Sequence, residues 1–229
     1  MITYFANPST PGVREAMADG RLGAILTPRQ GNRLPAASLF VVDNGCGPTR
    51  SGAPGSGYCG DERYLGMLQD LGQGDGYDPC DPDTSWCLFA VAPDGPGDAA
   101  ATLRRGRTSG MLGWIRWLGF PVALVAQNGL EDLTVPWDDF DVLFIGGDTA
   151  WKLGRHARTL TAEAKRRRKW VHMGRVNSLE RLRYAEATGC DSADGTFIAF
   201  GPDVNLPHVL GWLRSVNDQG ALFGLEASA

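Results

Sequence analysis

The chain has 229 residues, a net charge of −4 and five cysteines. That length suits one domain with a substantial core, and the charge excludes a global basic field as the means of holding nucleic acid. No apolar stretch reaches the roughly 20 residues of a membrane span. The start at Met1–Phe5 lacks a basic segment followed by a long apolar one, and an odd number of scattered cysteines points to reduced thiols in a cytoplasmic setting.

In chain order, eight apolar runs near 2–5, 23–27, 38–42, 87–92, 121–126, 141–145, 169–173 and 190–193 predict strands. Most end in a polar residue or glycine. The third run ends in Asp43, the fourth in Asp94 and the fifth in Gln127. The sixth ends in Gly146-Gly147, the seventh in Gly174-Arg175 and the last, a weak one, in Asp194. Helices are predicted between most of them. Pro11–Ala18 follows Ser9-Thr10, a cap ahead of a first-turn proline. Further helical spacing covers Glu62–Leu71, Asp98–Leu118 with a break at Gly106 or Gly110, Ala150–Arg168, Ser178–Thr188 and Leu206–Val216. Asn177 or Ser178 caps the Ser178–Thr188 helix and Gly189 ends it.

Continuous apolar strands alternating with helices imply a buried parallel sheet. Eight of them predict an α/β fold, a short (β/α)8 TIM barrel spanning residues 1–229 as a single domain. The segment 45–85, rich in Gly, Pro, Asp and Ser, is a long loop insertion after the third strand. It reads equally well as a lid over the barrel mouth or as a surface insertion.

In such a barrel the chemistry sits where strands end, so Asp43, Asp94 and Asp194 are expected to share one mouth. Paired carboxylates can divide nucleophilic and acid/base work at a glycosidic carbon. A carboxylate beside an amide such as Gln127 suits a guanine-like edge, and Gly146-Gly147 leaves room for a flat ring. Any one of these acids alone would read as a helix cap, the preferred reading for Asp98. His172 lies within an apolar strand, points opposite to its neighbours and is expected to be structural.

Several segments resemble tRNA-guanine transglycosylases (queuine tRNA-ribosyltransferases), in that family's order. Asp43-Asn44-Gly45 is similar to its Asp-Ser-Gly-Gly segment, and Val125-Ala126-Gln127-Asn128-Gly129 to its Val-Gln-Gly segment. Phe144-Ile145-Gly146-Gly147 is similar to its Gly-Gly strand end. His172-Met173-Gly174-Arg175-Val176 resembles its Leu-Met-Gly-Val-Gly, and Gly189-Cys190-Asp191-Ser192-Ala193-Asp194 its Gly-Val-Asp-Met-Phe-Asp. The short phage- and actinobacteria-type branch, linked to inserting 7-deazaguanines into DNA, is the nearest likeness. The resemblance implies Asp194 as nucleophile at the sugar C1′ and Asp43 as general base for the incoming 7-deazaguanine. It implies that Asp94 reads the N1/N2 edge, that Gln127 and the Gly147 N–H contact O6, with Gly146 and Asn44 beside them, and that Met173 packs on the ring. Asp191 would support the site or be structural.

The tRNA enzymes carry a Cys-x-Cys-x-x-Cys…His zinc pattern near their C-terminus. Here Cys190 is the only cysteine after Cys87. Cys46, Cys59, Cys80 and Cys87 match no tight zinc spacing, so no metal or other cofactor is expected. DNA is therefore favoured over tRNA as the nucleic-acid partner, and a homodimer is one option for the assembly. Arg29 and Arg175, at strand ends, are the candidates for phosphate contact. Lys165–Lys169 falls on the opposite face, where cations complement a helix end, and Arg104, Arg105 and Arg107 are ambiguous. The same exchange on tRNA, a non-catalytic 7-deazaguanine- or nucleic-acid-binding barrel, and an N-glycoside hydrolase are the other readings.

Overall fold

The computed structural model describes residues 1–31, 33–36, 38–47, 57–72 and 86–226. Eight parallel strands close into a barrel in sequence order, β8 pairing back onto β1. They are β1 (Thr3–Ala6), β2 (Gly23–Leu26), β3 (Phe40–Val42), β4 (Cys87–Val91), β5 (Val122–Ala126), β6 (Val142–Ile145), β7 (Trp170–Met173) and β8 (Ser192–Asp194). Around them lie α1 (Pro11–Ala18), α2 (Asp61–Gly72), α3 (Ala99–Ser109), α4 (Met111–Trp117), α5 (Thr149–Lys152), α6 (Arg155–Arg166), α7 (Leu179–Ala187) and α8 (Pro202–Glu226). The short (β/α)8 barrel expected from the apolar runs is therefore the observed fold.

Local chemistry accounts for the helix limits. The stretch 98–118 breaks at Gly110, whose φ of 65° is left-handed, and Asp98 caps α3 by accepting from the Ala101 N–H at 2.8 Å. The stretch 150–168 divides at Leu153-Gly154 into α5 and α6. Ser178, rather than Asn177, caps α7. The last helix begins at Pro202, earlier than Leu206, and runs past Pro207 to Glu226. Between β5 and β6 the crossover holds only two 3₁₀ turns, Leu130–Asp132 and Trp137–Asp139. Part of the 45–85 insertion forms α2, where helical spacing predicted one. Residues 48–56 and 73–85 of it, with Cys80, lie outside the described residues.

Strand alternation splits the apolar side chains into two layers. The outer layer, including Leu124, Leu143, Ile145, Val171 and Met173, packs against the helices. The inner layer, including Phe5, Phe89, Val91, Val125 and Phe144, fills the barrel. Its rings meet edge-on, Phe89 lying 6.4 Å from Phe144 and 6.5 Å from Phe5 between centroids. Such pairs add about 0.5–1.5 kcal/mol each beyond the area they bury. Gly23 makes room for them, since a Cβ there would stand 2.2 Å from the Phe5 ring.

Candidate functional site

The carboxyl ends of the strands surround a pocket of about 360 Å³, within the range of small-molecule sites. Asp43, Asn44, Asp94, Gln127, Gly146, Gly147, Arg175 and Asp194 line it, and Val91, Val125 and Phe144 form its apolar floor. The three acids that end β3, β4 and β8 in sequence are thus brought together in one cavity.

The Asp94 side is built from amides. Asn44 Nδ2 donates to Asp94 Oδ1 at 3.0 Å, and Gln127 Nε2 donates to Asp94 Oδ2 at 2.5 Å. Gln127 Oε1 accepts from the backbone N–H groups of Gly97 (3.0 Å) and Gly147 (2.8 Å), which fixes the orientation of its amide. Burial pushes the Asp94 carboxyl up, and the two amide donors oppose that shift.

The Asp194 side is built from β7 and β8. Asp194 Oδ2 lies 2.8 Å from His172 Nε2, and Oδ1 accepts from the Arg175 N–H at 3.2 Å. His172 Nδ1 lies 2.8 Å from Ser192 Oγ, which also accepts from the Trp170 indole N–H at 2.8 Å. Gly174 lets the chain pass here, because a Cβ would meet the Phe144 ring at 2.7 Å. Arg175 takes a left-handed φ of 59° and donates through its guanidinium to the Gly147 carbonyl. Behind the loop, buried Lys152 donates to the Gly174 carbonyl. Its ammonium is pushed down to about 8, first by burial and then by Arg175.

Asp43 stands between the two sides. Its Oδ1 accepts from the Gly45 N–H at 2.7 Å. Burial raises its pKa to about 7; that hydrogen bond opposes the rise, and the charges of Asp194 and Asp94 add to it. A carboxyl poised there can hold or release a proton near neutrality.

Four expected roles are corrected. Met173 does not face the pocket: His172 points inward, so period-2 alternation sends Met173 to the layer beneath the helices. The Gly147 N–H is spent on Gln127 rather than left for a ligand. Asn44 lines the pocket, but its Nδ2 donates to Asp94 Oδ1 and the Ala92 carbonyl (2.8 Å), so it orients the acid. His172 is more than a structural filler, since it contacts Asp194. Only the pairing of His172 with Ser192 across β7 and β8 reveals that role.

Arg29 is exposed in the turn after β2 and is not among the pocket-lining residues, whereas Arg175 lines the pocket. Arg105, on α3, reaches the mouth, donating to the Asp94 carbonyl at 3.4 Å and stacking 4.3 Å over Tyr58. Asp191 is structural, accepting from the Val171 N–H and pairing with Lys165. Cys46, Cys87 and Cys190 are buried and Cys59 is half-buried, all as free thiols. Among the described residues no group of three His, Cys, Asp or Glu side chains is arranged to hold a metal, and no helix is long and apolar enough to cross a membrane.

No protein-family model and no curated protein sequence matches the chain. Among solved structures it is similar to a "Native KDPGal structure" at 12% identity, over 84% of this chain and 81% of that one, with a TM-score of 0.46. A cube-shaped porous cage designed by fusing symmetric oligomeric domains matches at 15% identity over 99% and 79%, TM-score 0.45. A complex structure of GH113 β-1,4-mannanase matches at 13% over 80% and 65%, TM-score 0.40. Likeness at this level carries no functional argument.

Proposed function

We propose that this barrel is a guanine transglycosylase-like enzyme that replaces guanine in DNA with a 7-deazaguanine, such as 7-cyano-7-deazaguanine. The observation that carries the reading is the ordered edge made by Asp94 and Gln127. Each Asp94 oxygen takes one amide N–H, the Cys46 thiol also serves the carboxylate, and a carboxylate oxygen can accept more than one hydrogen. Gln127 Oε1 is committed to two backbone N–H groups, so Nε2 keeps its second hydrogen after serving Asp94. Two acceptors followed by a donor complement the N2–H, N1–H and O6 of guanine. Adenine would set an acceptor, N1, against the carboxylate, a mismatch worth orders of magnitude in selectivity.

The chemistry follows from the other two acids. Asp194 forms a bond to C1′ while the C1′–N9 bond breaks. The electron pair leaves with guanine, which takes a proton from Asp43. The incoming base then returns its N9 proton to Asp43 and bonds C1′ through N9, and the Asp194–C1′ ester breaks to restore the carboxylate. A pKa of about 7 suits Asp43 to both directions of that transfer. The target base must leave its stack to reach the pocket, and Arg175 at the mouth supplies a cation for the phosphate chain.

Incubation with labelled 7-cyano-7-deazaguanine and either DNA or tRNA tests this. Label in DNA is expected. Label in tRNA alone would move the substrate, guanine release without incorporation would make the protein a hydrolase, and tight base binding without turnover would make it a binding barrel.

A further inference from the structure

Behind Asp194, inside the barrel, runs a string of polar groups that the exchange itself does not touch. Trp170 Nε1, Ser192 Oγ, both His172 ring nitrogens and Asp194 Oδ2 are linked by three contacts of 2.8 Å each. His172 and Ser192 are both 0% exposed. The imidazole is boxed by Phe144, Phe89 and Phe5, at 4.5, 5.2 and 6.0 Å between centroids.

The direction of the string follows from donor chemistry. An indole N–H can only donate, so it occupies a lone pair of Ser192 Oγ. The Ser192 hydroxyl hydrogen then has His172 Nδ1 as its acceptor, because Ser192 Oγ makes no other hydrogen bond among the described residues. With Nδ1 accepting, the ring proton sits on Nε2 and points at Asp194 Oδ2. A proton on Nδ1 would instead aim two N–H donors at one hydroxyl.

We propose that Trp170, Ser192 and His172 form a one-way hydrogen-bond relay that holds the Asp194 side chain in a single rotamer for attack at C1′. His172 is thus a positioning residue. The inference rests on Asp194 being the nucleophile. Serine, histidine and aspartate also make up hydrolytic triads, in which the serine meets the substrate. Here the order is inverted, since Asp194 lines the pocket and Ser192 is sealed beneath it. The relay holds Oδ2 more closely than the Arg175 N–H holds Oδ1, at 2.8 against 3.2 Å, which leaves Oδ1 as the freer oxygen.

Two measurements test the relay. ¹⁵N NMR of the full chain labelled at its three histidines is expected to show His172 at pH 7 as a neutral ring protonated on Nε2. In Ser192→Ala the ring is expected to lose that single tautomer. A doubly protonated ring, an Nδ1–H tautomer or an unchanged spectrum in Ser192→Ala overturns the relay. In the exchange assay His172→Phe is expected to lower kcat by roughly 30-fold or more with KM for the free base within about threefold. His172→Gln, which can still present an N–H to Asp194, is expected to recover part of it. Unchanged kcat in His172→Phe, or a loss confined to KM, overturns the positioning role, and if that variant does not fold the Ser192→Ala spectrum decides. The tautomer is read without substrate, so a wild-type protein lacking exchange would strike the proposed function and not the relay.

Discussion

Aspartates stand at both ends of this barrel, and their surroundings are opposed. At the amino ends of the strands, Asp141 and Asp191 each accept a backbone N–H from near the start of a neighbouring strand, from Val122, the first residue of β5, and Val171, the second of β7. Each also pairs with a cation, Asp141 with Arg116 at 3.1 Å and Asp191 with Lys165 at 2.6 Å. At the carboxyl ends, none of Asp43, Asp94 and Asp194 forms an ion pair with Arg or Lys among the described residues. Amides, two backbone N–H groups and an imidazole hold them instead. The lower acids are satisfied, and they fasten strands. The upper acids keep acceptor capacity and charge directed at an open cavity, an arrangement that serves a ligand better than it serves the fold.

Substitutions at the two ends should therefore separate activity from stability. The largest effect is expected for Asp194→Ala, which removes the carboxylate proposed to attack C1′. Exchange should fall by about 10³-fold or more while binding of the free base survives. Full activity would move the nucleophile elsewhere. Next comes Asp94→Ala, which takes away both acceptors of the reading edge and should raise KM for the free base by about 10²-fold; titration calorimetry with guanine checks it.

Asp43 gives a signature in pH. As a base it must be ionised, so kcat/KM for the incoming base should rise as pH passes about 7. That limb should vanish in Asp43→Asn. Stability runs the other way. The folded pKa lies above that of the unfolded chain, so the stability Asp43 contributes is full below about pH 4 and is lost as pH rises through about 7. Asp43→Asn should therefore raise Tm at pH 8 and bring little gain at pH 5. The smallest effect on activity belongs to Asp191→Ala. Losing the Val171 bond and the Lys165 pair should cost about 2 kcal/mol in denaturant unfolding with exchange unchanged. A variant equally damaged in both would dissolve the contrast between the ends.

Much of this was legible along the chain, because burial on both faces leaves strands as unbroken apolar runs and each run's last residue lands on the mouth. Asp43, Asp94, Gln127 and Asp194 could be found that way. Parity within a strand was harder to carry across from a resemblance. Met173 was expected on the ligand although its neighbour His172 points inward, and adjacent strand residues cannot share a face. The partners of Gly147 and Asn44 depend on contacts between loops about 20 and 50 residues apart. No local pattern encodes these, nor the His172–Ser192 register that gives a buried histidine its task.

Phe5, Phe89, Phe144 and His172 close the barrel below the pocket. Whatever binds must depart through the opening by which it arrived. For base exchange this imposes a traffic rule: the displaced guanine must vacate the cavity before its replacement can occupy the same edge of Asp94 and Gln127. Double-reciprocal plots at several DNA concentrations should then be parallel lines, and added guanine should compete with the incoming base.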